Sequence, residues 1–251
     1  MVVSMKMNSF IGKQILSIIR DGDYAHPGEE EAIELTFQEI PKDRKRLLLD
    51  VGCGRGGTAK YLHSHGWGHV IGIDIDEVSI KYAQHQYPML DFLIGNVIDA
   101  PQLINHQFDV IYLFNSFYAF EDQLVALKSL RKVAKESATL LIFDYLDRGG
   151  YGQSPQVEEE SPFLPHPLSL ENLESRLLST DWSLTSTTDI TTQYEEWYSQ
   201  FMNKVYLKRQ EIIEIAGEDG INLVCELYGG LLEAIRGGNL GGLIVKARPR
   251  G

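Results

Sequence analysis

The chain has 251 residues, 43% of them apolar, 23% charged and 10% aromatic, which is enough to bury a full core and too apolar for a disordered polymer. Against 23 Lys and Arg, 35 Asp and Glu give a formal net charge of -12, a surface field that repels phosphate backbones and anionic headgroups and so argues against nucleic-acid and membrane partners. Cys53 and Cys225 stand far apart without His or Cys at metal-ligand spacing, and no apolar run reaches membrane-spanning length; a reducing cytoplasm fits, and neither a disulfide scaffold nor a metal site is indicated.

Phe10, Ile11, Ile15, Leu16, Ile18 and Ile19 recur at helical spacing. A second helical pattern follows His26-Pro27-Gly28, with Pro27 suited to a first helical turn, so two helices are expected within 1–45. The basic cluster Lys42, Arg44, Lys45 and Arg46 reads as a solvated lead into Leu47 to Val51, a short apolar run typical of a strand buried on both faces. Strand-like runs at His69 to Ile73, Leu90 to Ile94, Phe108 to Phe114 and Thr139 to Tyr145 then alternate with helical stretches near 57–66, 76–87 and 120–135. That alternation predicts an α/β fold with a parallel, doubly wound sheet across 46–147.

Arg148 to Pro167 is rich in Gly, Pro, Ser and Glu and reads as a loop or flap, followed by a helix near 169–180 and a sixth strand at Trp182 to Ile190. Thr191 to Ile215 holds Tyr194, Trp197, Tyr198, Phe201 and Tyr206 at spacings that one helical face could collect, and a further helix runs to about Arg236 before a last strand at Leu243 to Ala247. The insert 191–238 is too long for a plain connection. The aromatic stripe suits core packing, or a lid over a bound molecule offering cation–π contact. With no linker or repeat, 1–251 is expected to be one domain, the last strand and tail falling in 239–251.

Asp50-Val51-Gly52-Cys53-Gly54-Arg55-Gly56-Gly57 closes the first strand and opens a helix. Glycines there let backbone N–H groups approach a ligand through a turn that side chains would block. Asp74, at the end of the second strand, stands where a carboxylate could accept hydrogen bonds from both hydroxyls of a ribose. Together they indicate a nucleoside-containing cofactor, and Gly52, Gly54 and Gly57 alone also satisfy the dinucleotide pattern.

The acidic residue two positions before Gly52 makes this stretch resemble motif I of class I S-adenosylmethionine-dependent methyltransferases, with Asp74 matching their second-strand acid. Leu93-Ile94-Gly95-Asn96-Val97 resembles their third-strand end, with Asn96 where an Asp is common. Phe108-Asp109-Val110-Ile111-Tyr112-Leu113-Phe114-Asn115-Ser116 resembles the fourth-strand motif beside the methyl group. Tyr228 to Ile235, followed by Gly237-Gly238-Asn239-Leu240-Gly241-Gly242, looks like the ending of the sarcosine/dimethylglycine and phosphoethanolamine N-methyltransferase group. The resemblance implies a Rossmann-like seven-stranded sheet with an antiparallel last strand and a helical lid before it. It also implies S-adenosyl-L-methionine as cofactor, held near Asp50, Gly52, Cys53, Gly54, Asp74, Ile75, Asn96, Val97, Phe114 and Asn115.

Methyl transfer needs alignment and water exclusion more than a dedicated catalytic group, and an amine acceptor needs only to arrive unprotonated. Without clustered acidic and histidine ligands to mark a metal site, the reading favours a small-molecule amine and a monomeric or homodimeric enzyme. Tyr24, His26, Tyr118, Asp144 and Tyr145 are the acceptor-side candidates; each could equally be a packing or turn residue. A nicotinamide-dependent oxidoreductase and a non-catalytic cofactor-binding module stay open, although no Tyr-x-x-x-Lys pair follows the fourth or fifth strand.

Overall fold

The computed structural model describes residues 7, 9–151 and 163–251. Seven strands form one sheet: β1 (Leu47–Val51), β2 (His69–Asp74), β3 (Asp91–Ile94), β4 (Phe108–Phe114), β5 (Ala134–Asp147), β6 (Trp182–Asp189) and β7 (Leu240–Pro249), in the order β3-β2-β1-β4-β5-β7-β6. The first five run parallel, and β7 lies antiparallel between β5 and β6. Chain order reverses between β1 and β4, and such a switch point opens a crevice at the carboxyl ends of the strands.

The central strands are apolar at successive positions because both faces are covered. Leu48, Val70, Tyr112, Leu141 and Phe143 join one core layer, while Leu49, Ile71, Ile111, Leu113 and Ile142 join the other. The first layer is roofed by α1 (Phe10–Ile19), α2 (Glu29–Phe37), α3 (Gly57–Ser64), α4 (Glu77–Gln86), α8 (Thr191–Leu207) and α9 (Arg209–Arg236). The second is closed by α5 (Ala100–Leu103), α6 (Gln123–Val133) and α7 (Leu170–Leu178). Ser and Thr fill much of β6, a largely exposed edge strand whose polarity discourages further pairing.

Several boundaries depart from the sequence expectation. Pro27 lies outside α2: Gly28, left-handed at φ 77°, turns the chain first, and the helix starts at Glu29. β5 begins at Ala134, directly after α6, so the expected helix near 120–135 ends at Val133 and the strand expected from Thr139 starts five residues earlier. Short helical turns at Val97–Asp99 and Phe117–Ala119 follow β3 and β4. α9 is broken at Gly217, whose φ of 69° and ψ of -175° interrupt the helix. Of the expected flap Arg148 to Pro167, residues 152–162 lie outside the described residues. No helix among the described residues is long and apolar enough to cross a membrane.

Candidate active site

The two features singled out at the β1 and β2 ends are joined by hydrogen bonds. Asp74 Oδ2 accepts from the Gly54 N–H at 2.8 Å, and Oδ1 accepts from the Asp76 N–H at 2.9 Å. Each carboxylate oxygen keeps a second lone pair for a ligand. Gly52 has φ of 75°, and a Cβ there would stand 2.5 Å from Ser116 Cβ. The Ser116 hydroxyl in turn donates to Val51 O at 2.7 Å, strapping the end of β4 onto the loop after β1. Ile75, 72% exposed, stands beside the carboxylate. Cys53 is buried, and burial raises its thiol pKa.

Asp50 points inward. It is buried beside Tyr112, whose hydroxyl falls short of a full hydrogen bond, so Asp50 Oδ2 and Tyr112 Oη have no partner among the described residues. Burial pushes Asp50 up to about 8, with the Asp74 charge adding to the rise and Tyr112 opposing it. Asn96 caps the turn after β3, its Oδ1 accepting from the Ile98 N–H at 3.1 Å, while the Val97 side chain is buried in the second core layer. Of Val97, the backbone is what remains to meet a ligand.

The loop between α1 and α2 covers the glycine turn. Asp23 gathers Arg55 at 3.0 Å, Ser17 at 2.9 Å, Tyr82 at 3.2 Å and Tyr87 at 2.7 Å, drawing α1 and α4 together. A small cavity against the turn is lined by Lys13, Leu16, Asp23, Tyr24, Gly54 and Arg55. Sequence reasoning missed Asp23 because its partners come from three segments and no local spacing announces it.

His26 and Tyr24 both face inward from this loop. His26 Nδ1 lies 3.1 Å from Pro27 O, which can only accept, so Nδ1 carries the proton, and Nε2 accepts from Thr58 Oγ1 at 3.0 Å. Burial drives the imidazole down to about 3, and its ring packs on Phe114 with centroids 4.5 Å apart. The Tyr24 hydroxyl donates to Glu30 Oε1 at 3.2 Å, and burial raises its pKa.

On β5, Asp144 is fully buried. Its Oδ2 accepts from the Tyr118 N–H at 3.1 Å and its Oδ1 from the Tyr145 N–H at 2.7 Å; burial pushes it to about 7 against those bonds. Tyr118 and Tyr145 meet edge to face at 5.3 Å, and the Tyr145 hydroxyl is hydrogen-bonded to that of Tyr198. Burial raises the pKa of Tyr118, Tyr145, Tyr194 and Tyr198. Phe114, nearly buried, stacks on Phe143 at 5.0 Å. Asn115, with φ of 46°, accepts at Oδ1 from the Tyr194 hydroxyl at 3.1 Å.

The aromatic stripe of α8 packs as core. Tyr194, Trp197, Tyr198 and Phe201 are buried, whereas Tyr206 is 65% exposed and takes no part. The helix sits close because Gly242 lacks a Cβ: one there would stand 2.4 Å from the Tyr194 ring. Trp197 donates to Glu31 at 2.9 Å, locking α8 to α2. Arg20, also unforeseen, is buried with its guanidinium 4.7 Å from the Phe201 ring centroid and ion-paired to Glu29 at 2.9 Å. The cation–π seat on Phe201 is thus taken by the protein's own side chain.

Against known proteins, residues 49–142 match a family described as a methyltransferase domain. The chain is 26% identical over 198 residues to O-methyltransferase rstn1 of Aspergillus nomiae, covering 72% of this chain and 88% of that one. It is 30% identical over 136 residues to phosphoethanolamine N-methyltransferase 1 of Zea mays, covering 53% of this chain and 27% of that one. Among solved structures, a putative sarcosine dimethylglycine methyltransferase from Galdieria sulphuraria superposes with a TM-score of 0.74 at 19% identity, over 87% of this chain and 82% of that one. Phosphoethanolamine N-methyltransferase 2 of Haemonchus contortus, in complex with phosphomonomethylethanolamine and S-adenosylhomocysteine, gives 0.83 at 15% identity, over 96% and 58%.

Proposed function

We propose that this chain, a class I S-adenosylmethionine-dependent methyltransferase, methylates a small molecule in the crevice between β1 and β4, with an amine nitrogen as the attacking atom. The oxidoreductase and non-catalytic alternatives fall away with the assignment. S-adenosyl-L-methionine is the cofactor and, when bound, supplies a methyl carbon on a cationic sulfur. In this reading Gly52 and Gly54 cradle it and Asp74 accepts from its ribose. The fit is supported by the open space around Gly54, where nothing lies within 4 Å of an added Cβ, and by the spare lone pairs of Asp74. Exposed Ile75 and the free amide nitrogen of Asn96 suit an adenine ring, and Phe114 and Asn115 border the methyl.

The observation that carries the acceptor assignment is the state of the candidate bases. His26 has both nitrogens engaged and is held neutral by burial; Asp144 is buried with both oxygens hydrogen-bonded to backbone N–H groups; the tyrosines are pushed above their ordinary range. A nucleophile that brings its own lone pair suits such a site, and a neutral amine does so without a base. An oxygen acceptor is the second reading, favoured by the O-methyltransferase rstn1 that covers most of this chain; a carboxylate or acidic hydroxyl also arrives deprotonated. The acidic charge and two free cysteines support action in the cytoplasm.

Mass spectrometry of reactions with panels of amines, phenols and carboxylates tests this. Methylated amines are the expected products, with a rate that climbs toward the amine's own pKa. Turnover of oxygen acceptors alone would overturn the nitrogen assignment, and calorimetry without heat from S-adenosylmethionine or S-adenosylhomocysteine would overturn the cofactor site.

A further inference from the structure

Asn115 directly follows β4 at the point where strand order reverses, in a left-handed conformation, with its backbone N–H donated to Phe143 O at 2.8 Å. Its side-chain amide is oriented from outside the strand: the Tyr194 hydroxyl, on the lid helix α8, supplies a hydrogen to Oδ1. That fixes which end of the amide is an acceptor already in use. The other end, Nδ2, is shielded from solvent and has no partner among the described residues. A buried amide nitrogen without a partner is costly in a folded protein, and a bound molecule can supply what is missing.

We propose that Asn115 is a specificity residue for the methyl acceptor: held by Tyr194, it donates a hydrogen bond from Nδ2 to an acceptor oxygen, so the enzyme selects molecules that have an oxygen lone pair to spare. The inference rests on the methyltransferase reading and deepens it. An amine spends its single lone pair on the methyl carbon and so must carry an accepting oxygen elsewhere, such as an ether, carbonyl or carboxylate. An oxygen nucleophile has lone pairs left over and meets the requirement itself. A site built to donate discriminates against the isostere that cannot accept. Tyr194 acts through Asn115 and is a positioning residue.

Two matched pairs of probes separate these sources: 2-methoxyethylamine against butylamine, and 4-methylphenol against 4-methylaniline. With the intact protein, the oxygen-bearing partner of at least one pair should be used with kcat/KM roughly tenfold higher, the worth of one hydrogen bond. Asn115→Asp still accepts from Tyr194 but cannot donate, and the preference should fall below about twofold. Tyr194→Phe should lower it in the same sense while S-adenosylhomocysteine affinity stays within about twofold, a split that a merely structural role would not produce. Equal use of both partners, or a preference untouched by either substitution, overturns the proposal while the turnover itself upholds the methyltransferase reading. Should no probe react, the Asn115 side-chain amide signal in NMR, assigned by its loss in Asn115→Asp, decides: a shift on Tyr194→Phe sustains the proposed hold, and an unmoved signal overturns it.

Discussion

Along the carboxyl edge of β1 and β2, two short stretches, Gly52 to Gly57 and Asp74, are tied together largely by backbone: the Gly52 and Cys53 N–H groups donate to Ile73 O and the Gly54 N–H donates to Asp74. The rest of the crevice is assembled from side chains of the α1–α2 loop, β4, β5 and α8, residues far apart in the chain that meet only in the fold: His26 on Phe114, Tyr145 on Tyr198, Tyr194 on Asn115, Trp197 on Glu31. In the proposed reading the glycine edge holds the cofactor through the shape of the loop and the spare lone pairs of Asp74. The side-chain wall doubles as part of the core, so in the proposed reading acceptor recognition is coupled to the stability of α8.

That difference predicts which variants unfold the protein and which spare it. Trp197 is buried between α8 and α2, and Trp197→Ala should cost about 3–5 kcal/mol of stability, the usual range for emptying a buried aromatic site. Denaturant titration gives the loss; in conditions where the variant is folded, S-adenosylhomocysteine should bind within about twofold of the parent, because no cofactor-edge group has moved. A large drop in cofactor affinity in the folded variant would mean that lid and edge form one unit.

The converse variant is Asp74→Ala. It removes the acceptor for the Gly54 N–H and the proposed partner of the ribose, and calorimetry should show cofactor affinity falling by roughly a hundredfold, the scale of hydrogen bonds to a charged group. The melting temperature should move little, since Asp74 is only half buried at a strand end. Unchanged affinity would remove the cofactor edge from this account, and the comparison with it.

The same division explains what could be read from the residues alone. The glycine turn after β1, the place of Asp74 at the end of β2 and the strand runs β1 to β4 are local patterns: spacing within a few residues, or apolar runs bounded by turn chemistry, and as structure these carried through to the coordinates. Asp23 and Arg20 were invisible because nothing near them in the chain marks a residue that collects partners from α4 or lies against α8. Asp50 and Val97 were assigned to the cofactor from position along a motif, yet their side chains turn inward, a matter of strand pleat and turn geometry. Tyr206 shares the helical stripe by number but falls on its exposed side. Pro27 was displaced from α2 by the left-handed Gly28, which the Trp197 ring requires: a Cβ at Gly28 would lie 2.5 Å from that ring.

A smaller effect tests whether the side-chain wall is dry where the cofactor edge is wet. Folding takes His26 from an ordinary value of 6.5 to about 3, chiefly by burial. Between those values the unfolded chain takes up a proton that the folded one refuses, so the stability from neutral His26 is full above about 6.5 and is lost as pH falls toward 3. Asp144, raised by burial from 3.8 to about 7, runs the other way: its contribution is full below 3.8 and is lost as pH rises through 7. In His26→Gln the amide can still donate to Pro27 O and accept from Thr58, but it does not titrate. Between pH 7.5 and 5 the variant's unfolding free energy should therefore fall by about 2 kcal/mol less than the parent's, near 1.4 kcal/mol for each pH unit below the ordinary imidazole value. Cofactor affinity, which the proposed reading assigns to Gly54 and Asp74, should show no matching change. If parent and variant lose stability in parallel, His26 is protonated in the folded state, and the wall beside Phe114 admits enough water to make an imidazolium, and with it a working base, available to the acceptor.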